Sequence, residues 1–275
     1  MSYKSSSGRN SGKLLNVFQS RKTILGQIIG GGSVAPTIKA ISASGGTVTT
    51  KLASDGKTYK IHTFTDIGPN TFTVSSADSK ATVYLYLQGG GGGGAGAPGA
   101  NGNSFACGGG TGNLTQAQIN INSGTYDISI GGGGGGGYTV PGPGDSPPFP
   151  VSAVVGTGST FSSPTTNITA GGGGAGFVGS GLVGAAGGQL SSFTSGNNIV
   201  IISSAAAAGG GVCASSFPYY GSGGNIWSSQ FNTPFHFLFP MSPIENKGNG
   251  GNGGAQSGSS GVAGYAQIFY EIEPT

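Results

Sequence analysis

Runs of glycine constrain this chain more than any other feature. They stand at 89–94, 108–110, 131–137, 171–174 and 209–211, with a looser stretch over 248–254. Ordering a glycine costs roughly 0.5–1 kcal/mol more than ordering an alanine, and there are 60 of them. Such a chain either stays disordered or gains something that only glycine permits, which is close approach of one backbone to another. The runs lack the strict G-X-Y period of collagen. Apolar strand-like segments separate them, which a Gly/Ser linker would not contain.

Two readings remain, floppy loops or extended three-fold helices of the polyproline-II type packed side by side, and the regular flanking strands favour the helices. Without side chains in the way, their N–H and C=O groups can bond to neighbouring helices, which satisfies buried backbone. The seven residues 131–137 would span roughly 20 Å at about 3.1 Å per residue. Six such segments would make a compact bundle.

Composition supports a folded chain. Glycine and proline (60 and 14 of 275 residues) alone would suggest low complexity. Yet 35% of residues are hydrophobic and only 7% charged, with 14 Phe and 10 Tyr, whereas disordered chains are charged and poor in aromatics. Charge is unevenly placed. Residues 1–80 hold ten of the eleven Lys and Arg against Asp55, Asp66 and Asp78, a net +7. The remainder holds Lys247 against Asp127, Asp145, Glu245, Glu271 and Glu273, a net −4. A basic head and a nearly uncharged body are expected to be two functional parts.

Residues 1–12 are polar and lack the apolar core of a secretory leader. No apolar run approaches 18 residues, so no membrane insertion is expected. Cys107 and Cys213 each sit at the edge of a glycine run. One disulfide and two buried free thiols both remain open.

Taken in order, residues 1–12 read as a flexible arm and 13–20 as a short strand. Strand-like pieces follow at 37–41 and 47–52. Clearer strands are expected at 59–65, 71–75 and 82–88, with a turn at Gly68-Pro69-Asn70. The 82–88 segment alternates Val83, Leu85 and Leu87 against Tyr84 and Tyr86. The 125–130 segment places Tyr126, Ile128 and Ile130 on one face and feeds the run 131–137. Further strands are expected at 198–203 and 264–272, the last with Ala266, Ile268, Tyr270 and Ile272 on one face. Residues 138–170 read as a Pro-, Ser- and Thr-rich loop, and 212–244 as a second long loop. No segment has amphipathic helix periodicity with caps. The fold class is all-β, a strand frame carrying polyglycine-II-type helices as a glycine-rich sandwich, with an extended N-terminal arm.

Reactive chemistry is scarce. Glu271 and Glu273 are the body's one close carboxylate pair and lie on one face of a terminal strand. His62 and His236 are far apart and read as packing or surface histidines. The cysteines lack C-x-x-C spacing, which argues against zinc. Gly8-Arg9-Asn10-Ser11-Gly12-Lys13 is one residue short of a P-loop and is followed by Leu14. G-x-G-x-x-G matches inside the runs have no following helix. The Asn113-Leu114-Thr115 and Asn167-Ile168-Thr169 glycosylation patterns carry little weight without a leader. No catalytic site, metal or cofactor is expected, and the chain does not read as an enzyme.

Two features suit binding. The 212–244 stretch holds Phe217, Tyr219, Tyr220, Trp227, Phe231, Phe235, Phe237 and Phe239, including the one Trp. Aromatic side chains give rigid contact area at low entropic cost and suit recognition of a protein or glycan. A satellite core or a subunit interface would use them equally well. The first seven are the receptor-contact candidates, and the Pro-rich loop 138–170 is the second candidate region. In residues 1–22, Lys4, Arg9, Lys13, Arg21 and Lys22 stand without an acid. They are candidates for docking to an acidic protein surface; nucleic acid is a weaker fit because only Tyr3 and Phe18 interleave.

The order of motifs resembles a known domain. Tyr59-Lys60-Ile61-His62-Thr63-Phe64-Thr65, then Thr71-Phe72-Thr73-Val74, then Val83-Tyr84-Leu85-Tyr86-Leu87-Gln88 entering a glycine run, resembles the opening of the glycine-rich domain of virion proteins. These include bacteriophage tail-fibre and adhesin proteins and related proteins of marine viruses. Gly261-Val262-Ala263-Gly264-Tyr265-Ala266-Gln267-Ile268-Phe269-Tyr270 resembles that domain's final strand. The likeness spans about residues 58–272. Gly12-Lys13-Leu14-Leu15-Asn16-Val17-Phe18-Gln19-Ser20 resembles a short motif of phage structural proteins.

The resemblance implies packed glycine helices, loops between them that touch a host receptor, and a place on the virion, assembled in the host cytoplasm. Residues 1–57 would attach the chain to other virion proteins, and 58–275 would form the glycine-rich domain. A homo-oligomer is expected, a trimer by analogy with fibres. The alternatives are a capsid decoration or vertex protein without receptor contact, and an ice-binding protein built on glycine helices.

Overall fold

The fold is described from a computed structural model. It covers residues 38, 40–96, 105–140, 149–179, 190–194, 199–205, 223, 244–254 and 256–273. In chain order its strands are β1 (Ile41–Ser44), β2 (Thr47–Leu52), β3 (Thr58–Phe64), β4 (Gly68–Ala77), β5 (Ala81–Gln88), β6 (Phe105–Ala106), β7 (Leu114–Ile121) and β8 (Gly124–Ile130). They continue with β9 (Tyr138–Val140), β10 (Phe149–Val151), β11 (Ser159–Ser163), β12 (Thr166–Ala170), β13 (Val178–Gly179), β14 (Leu190–Thr194), β15 (Ile199–Ala205) and β16 (Tyr265–Ile272). No helix occurs among the described residues.

Two antiparallel six-stranded sheets face each other. The first has the order β1-β4-β8-β11-β12-β14, the second β15-β7-β5-β16-β3-β2. Between them lies one core. Phe72, Val74, Tyr126, Ile128, Ile130, Phe161, Ile168 and Ala170 enter from the first sheet. Phe64, Val83, Leu85, Leu87, Ala117, Ile119, Ile121, Ala266, Ile268 and Tyr270 enter from the second. Period-two alternation places them there, as the sequence reading expected for β5, β8 and β16. Tyr126 and Phe161 stack across neighbouring strands, with centroids 5.5 Å apart and planes 16° apart.

The second sheet is buried on its other face as well. Tyr59, Ile61, Tyr86, Leu114, Tyr265 and Phe269 form a second cluster there, with Ile244 against it. Burial pushes the hydroxyl pKa values of Tyr59, Tyr86 and Tyr265 upward, with the Asp55 partner adding to it at Tyr59, so the face stays neutral.

β1 and β2 belong to opposite sheets, and two glycines join them. Gly45 and Gly46 have φ of 114° and 61°. A side chain at either would also run into backbone, Thr71 O or Thr63 O. Only glycine meets both demands. The bend before β4 falls at 66–67, and Gly68-Pro69-Asn70 opens the strand itself.

The expected loop over 138–170 is not a single connector. Its first part makes the β9–β10 hairpin and its last part makes β11 and β12, which pair with each other inside the first sheet. Ser and Thr dominate those two strands, so their apolar content is low. Phe161, Ile168 and Ala170 nonetheless alternate inward and decide the matter.

The glycine runs continue the strands. Residues 89–96 leave β5, 131–137 leave β8 and 171–176 leave β12. Residues 107–113 return into β7, 153–158 into β11 and 256–264 into β16. Residues 248–254 run parallel to 89–96, which a parallel bridge Gly96–Gly254 marks.

The run 89–96 lies at the centre and bonds in a three-residue repeat. N–H groups of Gly89, Gly92 and Ala95 donate to Asn113, Gly110 and Cys107; those of Gly90 and Gly93 donate to Thr157 and Val154; those of Gly91 and Gly94 donate to Val262 and Ser259. Carbonyls of Gly90 and Gly93 accept from Gly173 and Gly176, those of Gly91 and Gly94 from Gly134 and Gly137, and those of Gly92 and Ala95 from Gly251 and Gly254. All are 2.8–3.0 Å long. The centre therefore donates to three return runs and accepts from three outbound ones. The six neighbours bond in turn around it, outbound alternating with return: 131–137, 153–158, 171–176, 107–113, 248–254 and 256–264.

Side chains are excluded by the same geometry. A Cβ at Gly90 or Gly93 would collide with Gly132 O or Gly135 O, one at Gly89 or Gly92 with Gly171 O or Gly174 O, and one at Gly91 or Gly94 with Asn249 O or Asn252 O. Ser159 ties the bundle to the sheets. Its hydroxyl donates to Gln88 O at 2.6 Å and accepts from Gly131 N–H at 2.9 Å.

Candidate binding surface at the far end of the glycine bundle

Outbound runs end, and return runs begin, at the end of the bundle away from the sheets. There β9 and β10 pair as a hairpin, with Tyr138 opposite Val151 and Val140 opposite Phe149. β6 pairs with β13. Tyr138 bridges Ser257, and Thr139 N–H donates to Gln256 O at 2.9 Å. Cys107 N–H donates to Phe177 O at 3.1 Å. Ala95 and Ala106 are buried between these pieces, with Val178 against them.

Among the described residues, four apolar side chains stand out from this end: Tyr138 at 51% exposure, Val140 at 42%, Phe177 at 39% and Val151 at 36%. No Lys, Arg, Asp or Glu lies among the described residues of 94–96, 105–107, 137–140, 149–153, 176–179 and 253–258. The described part of the tip is thus uncharged, apolar and partly aromatic, on a framework whose backbone is hydrogen-bonded within. Side chains of this kind on a rigid scaffold bury contact area with little ordering cost.

Cys107, at the root of the tip, is disulfide-bonded. The chain's one other cysteine is Cys213. This closes the choice that the sequence left open in favour of the bonded state of Cys107.

The site residues expected from sequence are not among those described. Phe217, Tyr219, Tyr220, Trp227, Phe231, Phe235 and Phe237 lie outside the described residues, and so do Lys4, Arg9, Lys13, Arg21 and Lys22. Ile244, where the aromatic stretch ends, donates its N–H to Tyr265 Oη at 3.2 Å. Tyr138, Val140 and Val151 sit within the second candidate region, 138–170. Phe177 was not singled out. Its signal is positional: Tyr138 and Phe177 are the first residues beyond outbound runs, so they stand where the chain leaves the bundle.

His62 is a packing residue. It is fully buried, edge-on to Phe72 and stacked on Tyr270. Lys57 pairs with Glu271 at 2.6 Å on the surface. No group of three or more His, Cys, Asp or Glu suited to a metal occurs among the described residues. No helix among them is long and apolar enough to cross a membrane.

No protein-family model matches the chain, and no curated protein matches it.

Proposed function

We propose that this protein is a non-enzymatic virion structural protein, a phage tail-fibre or receptor-binding component that touches the host with its glycine-bundle tip. The observation that carries this reading is the set of exposed, uncharged side chains Tyr138, Val140, Val151 and Phe177 at the end of the bundle away from the sheets. The runs are read as polyglycine-II helices. Their three-residue hydrogen-bond repeat, and the lack of room for a Cβ at any glycine of the central run 89–94, support that reading. Such a bundle holds its connections at a fixed distance from the sheets. The basic region 1–57, with Lys4, Arg9, Lys13, Arg21 and Lys22, is read as docking to other virion proteins, while its residues 41–44 and 47–52 also supply β1 and β2 of the sheets. Several weak tips on one particle give avidity without a strong single site.

The test is binding of the purified, fluorescently labelled protein to whole candidate host cells, beside a Tyr138→Ser/Phe177→Ser variant and a truncation lacking 212–244. Saturable binding lost in the tip variant supports the adhesin reading. Binding lost only in the truncation moves the contact to the aromatic stretch. No binding by the folded chain moves the protein to the capsid decoration or vertex role.

One observation favours a second reading. The outward face of the first sheet carries small polar side chains in cross-strand rows: Thr73 beside Thr125; Thr71, Asp127, Ser162 and Asn167; and Ser129, Thr160 and Thr169. A regular surface of small residues is what an ice-binding protein would need. An ice-recrystallisation assay decides it, and no activity removes this option.

A further inference from the structure

The run 131–137 lies on the rim of the bundle and is incompletely bonded. Gly134 and Gly137 donate inward to Gly91 and Gly94. Carbonyls of Gly132 and Gly135 accept from Thr157 and Val154, and those of Gly131, Gly134 and Gly137 from Gly264, Gly261 and Gly258. Gly133 and Gly136 make no backbone hydrogen bond among the described residues, although both reach the surface. Their N–H and C=O groups form two rows with the three-residue repeat of the interior. Beside them, Gly132 and Gly135 are the two glycines of this run with room for a side chain. The nearest atoms to an added Cβ are Ile67 Cγ2 at 3.6 Å and Val154 Cγ2 at 3.9 Å.

The interior defines where these rows point. In the central run each residue donates to one neighbour and accepts from the next neighbour around the ring. Gly90 donates to 153–158 and accepts from 171–176; Gly91 donates to 256–264 and accepts from 131–137. By the same rule, the donor row and the acceptor row of Gly133 and Gly136 face two adjacent, outward positions. An unpaired row of backbone groups is a template for another chain. A two-fold axis would set donors against donors, or acceptors against acceptors, so it cannot pair this run with itself. A three-fold axis parallel to the run gives every copy two neighbours in adjacent positions. The donor row of each copy then meets the acceptor row of the next, and the ring closes.

We propose that the exposed glycine row of 131–137 is a subunit interface that joins three copies of this chain around a three-fold axis parallel to the run. The flanking surface suits a second copy better than an ionic partner. Ile67, Val154, Val155 and Val262 are exposed around it, and none of these residues or the run's own is charged. The interface continues the packing of the bundle, the same run using on its outer side the contact it already makes inside. This inference does not depend on the virion reading.

The experiment is sedimentation equilibrium on the full chain and on a Gly132→Ala/Gly135→Ala variant, with amide hydrogen exchange on both. The two methyl groups fit the single chain but obstruct a neighbouring backbone. Expected are a trimer for the unaltered chain, protected Gly133 and Gly136 amides, and a monomer with a native circular dichroism spectrum for the variant. The proposal is overturned by a monomeric or dimeric unaltered chain. It is also overturned by a trimer in which Gly133 and Gly136 exchange freely, or which persists in the variant. Should the double variant misfold, Gly135→Ala alone is read by the same two measurements with the same outcomes.

Discussion

His62 donates from Nδ1 to the carbonyl of Gly45 at 2.8 Å, and so ties the second sheet to the turn that crosses to the first. A carbonyl can only accept, so Nδ1 carries the proton. In the neutral ring Nε2 then accepts from Tyr270 Oη, at 3.3 Å. Burial lowers the His62 pKa below its ordinary value; the Gly45 hydrogen bond opposes this, and the Lys60 charge adds to the lowering.

Stability should therefore depend on pH through this residue. An unfolded histidine titrates near 6.5 and the folded one lower, so between those values the unfolded chain binds more protons. Stability is full above about pH 6.5 and falls as pH is lowered towards the folded value, by at most about 1.4 kcal/mol per unit. Urea denaturation at a series of pH values, beside a His62→Gln variant, measures it. An equal slope in the variant removes His62 as the cause.

Gly93→Ala should be among the most damaging single changes. Its methyl group would meet Gly135 O, a backbone atom hydrogen-bonded to Val154 N–H that cannot turn aside. Overpacking costs about 1–3 kcal/mol in an ordinary core, and this site should lie at or above the top of that range. Thermal denaturation reads the loss; an unchanged Tm would mean that the runs can part without cost.

Phe161→Ala tests the sandwich separately from the bundle. Phe161 is fully buried and stacks on Tyr126. A loss of about 3–5 kcal/mol is expected in chemical denaturation. A loss under about 1 kcal/mol would mean that the core between the sheets collapses around the gap.

Reduction should loosen the tip. With Cys107 in a disulfide, Cys107→Ser is expected to cost about 2–4 kcal/mol. Adding a reductant should lower the Tm of the unaltered chain and leave that of the variant unmoved. A reductant-insensitive unaltered chain contradicts the bonded state.

The strands that frame the bundle were legible wherever apolar and polar residues alternate strongly. β5, β8 and β16 were placed within a residue or two, with their inward faces correct. β7 was missed because Leu114, Gln116 and Gln118 give one of its faces a polar look, although Gln116 is fully buried against Tyr86's side of the sheet. β11 and β12 were hidden by their serines and threonines. That the runs pack together follows from glycine alone. Which run sits at the centre does not: 89–94, 131–137 and 171–174 are all glycine and alike, and the order of strands in the sheets sorts them. The tip residues were equally hard to see: nothing in Tyr138 or Phe177 marks it except the position just past a run.

The three-residue repeat of the central run has a consequence for length. One residue inserted into 89–96 would turn every later donor by a third of a revolution, away from its acceptor and towards another run's. A register-preserving change must add or remove three residues, and must do so in all six neighbours together. The reach of the bundle is thus quantised, and gradual variation in length is confined to the connections at its two ends.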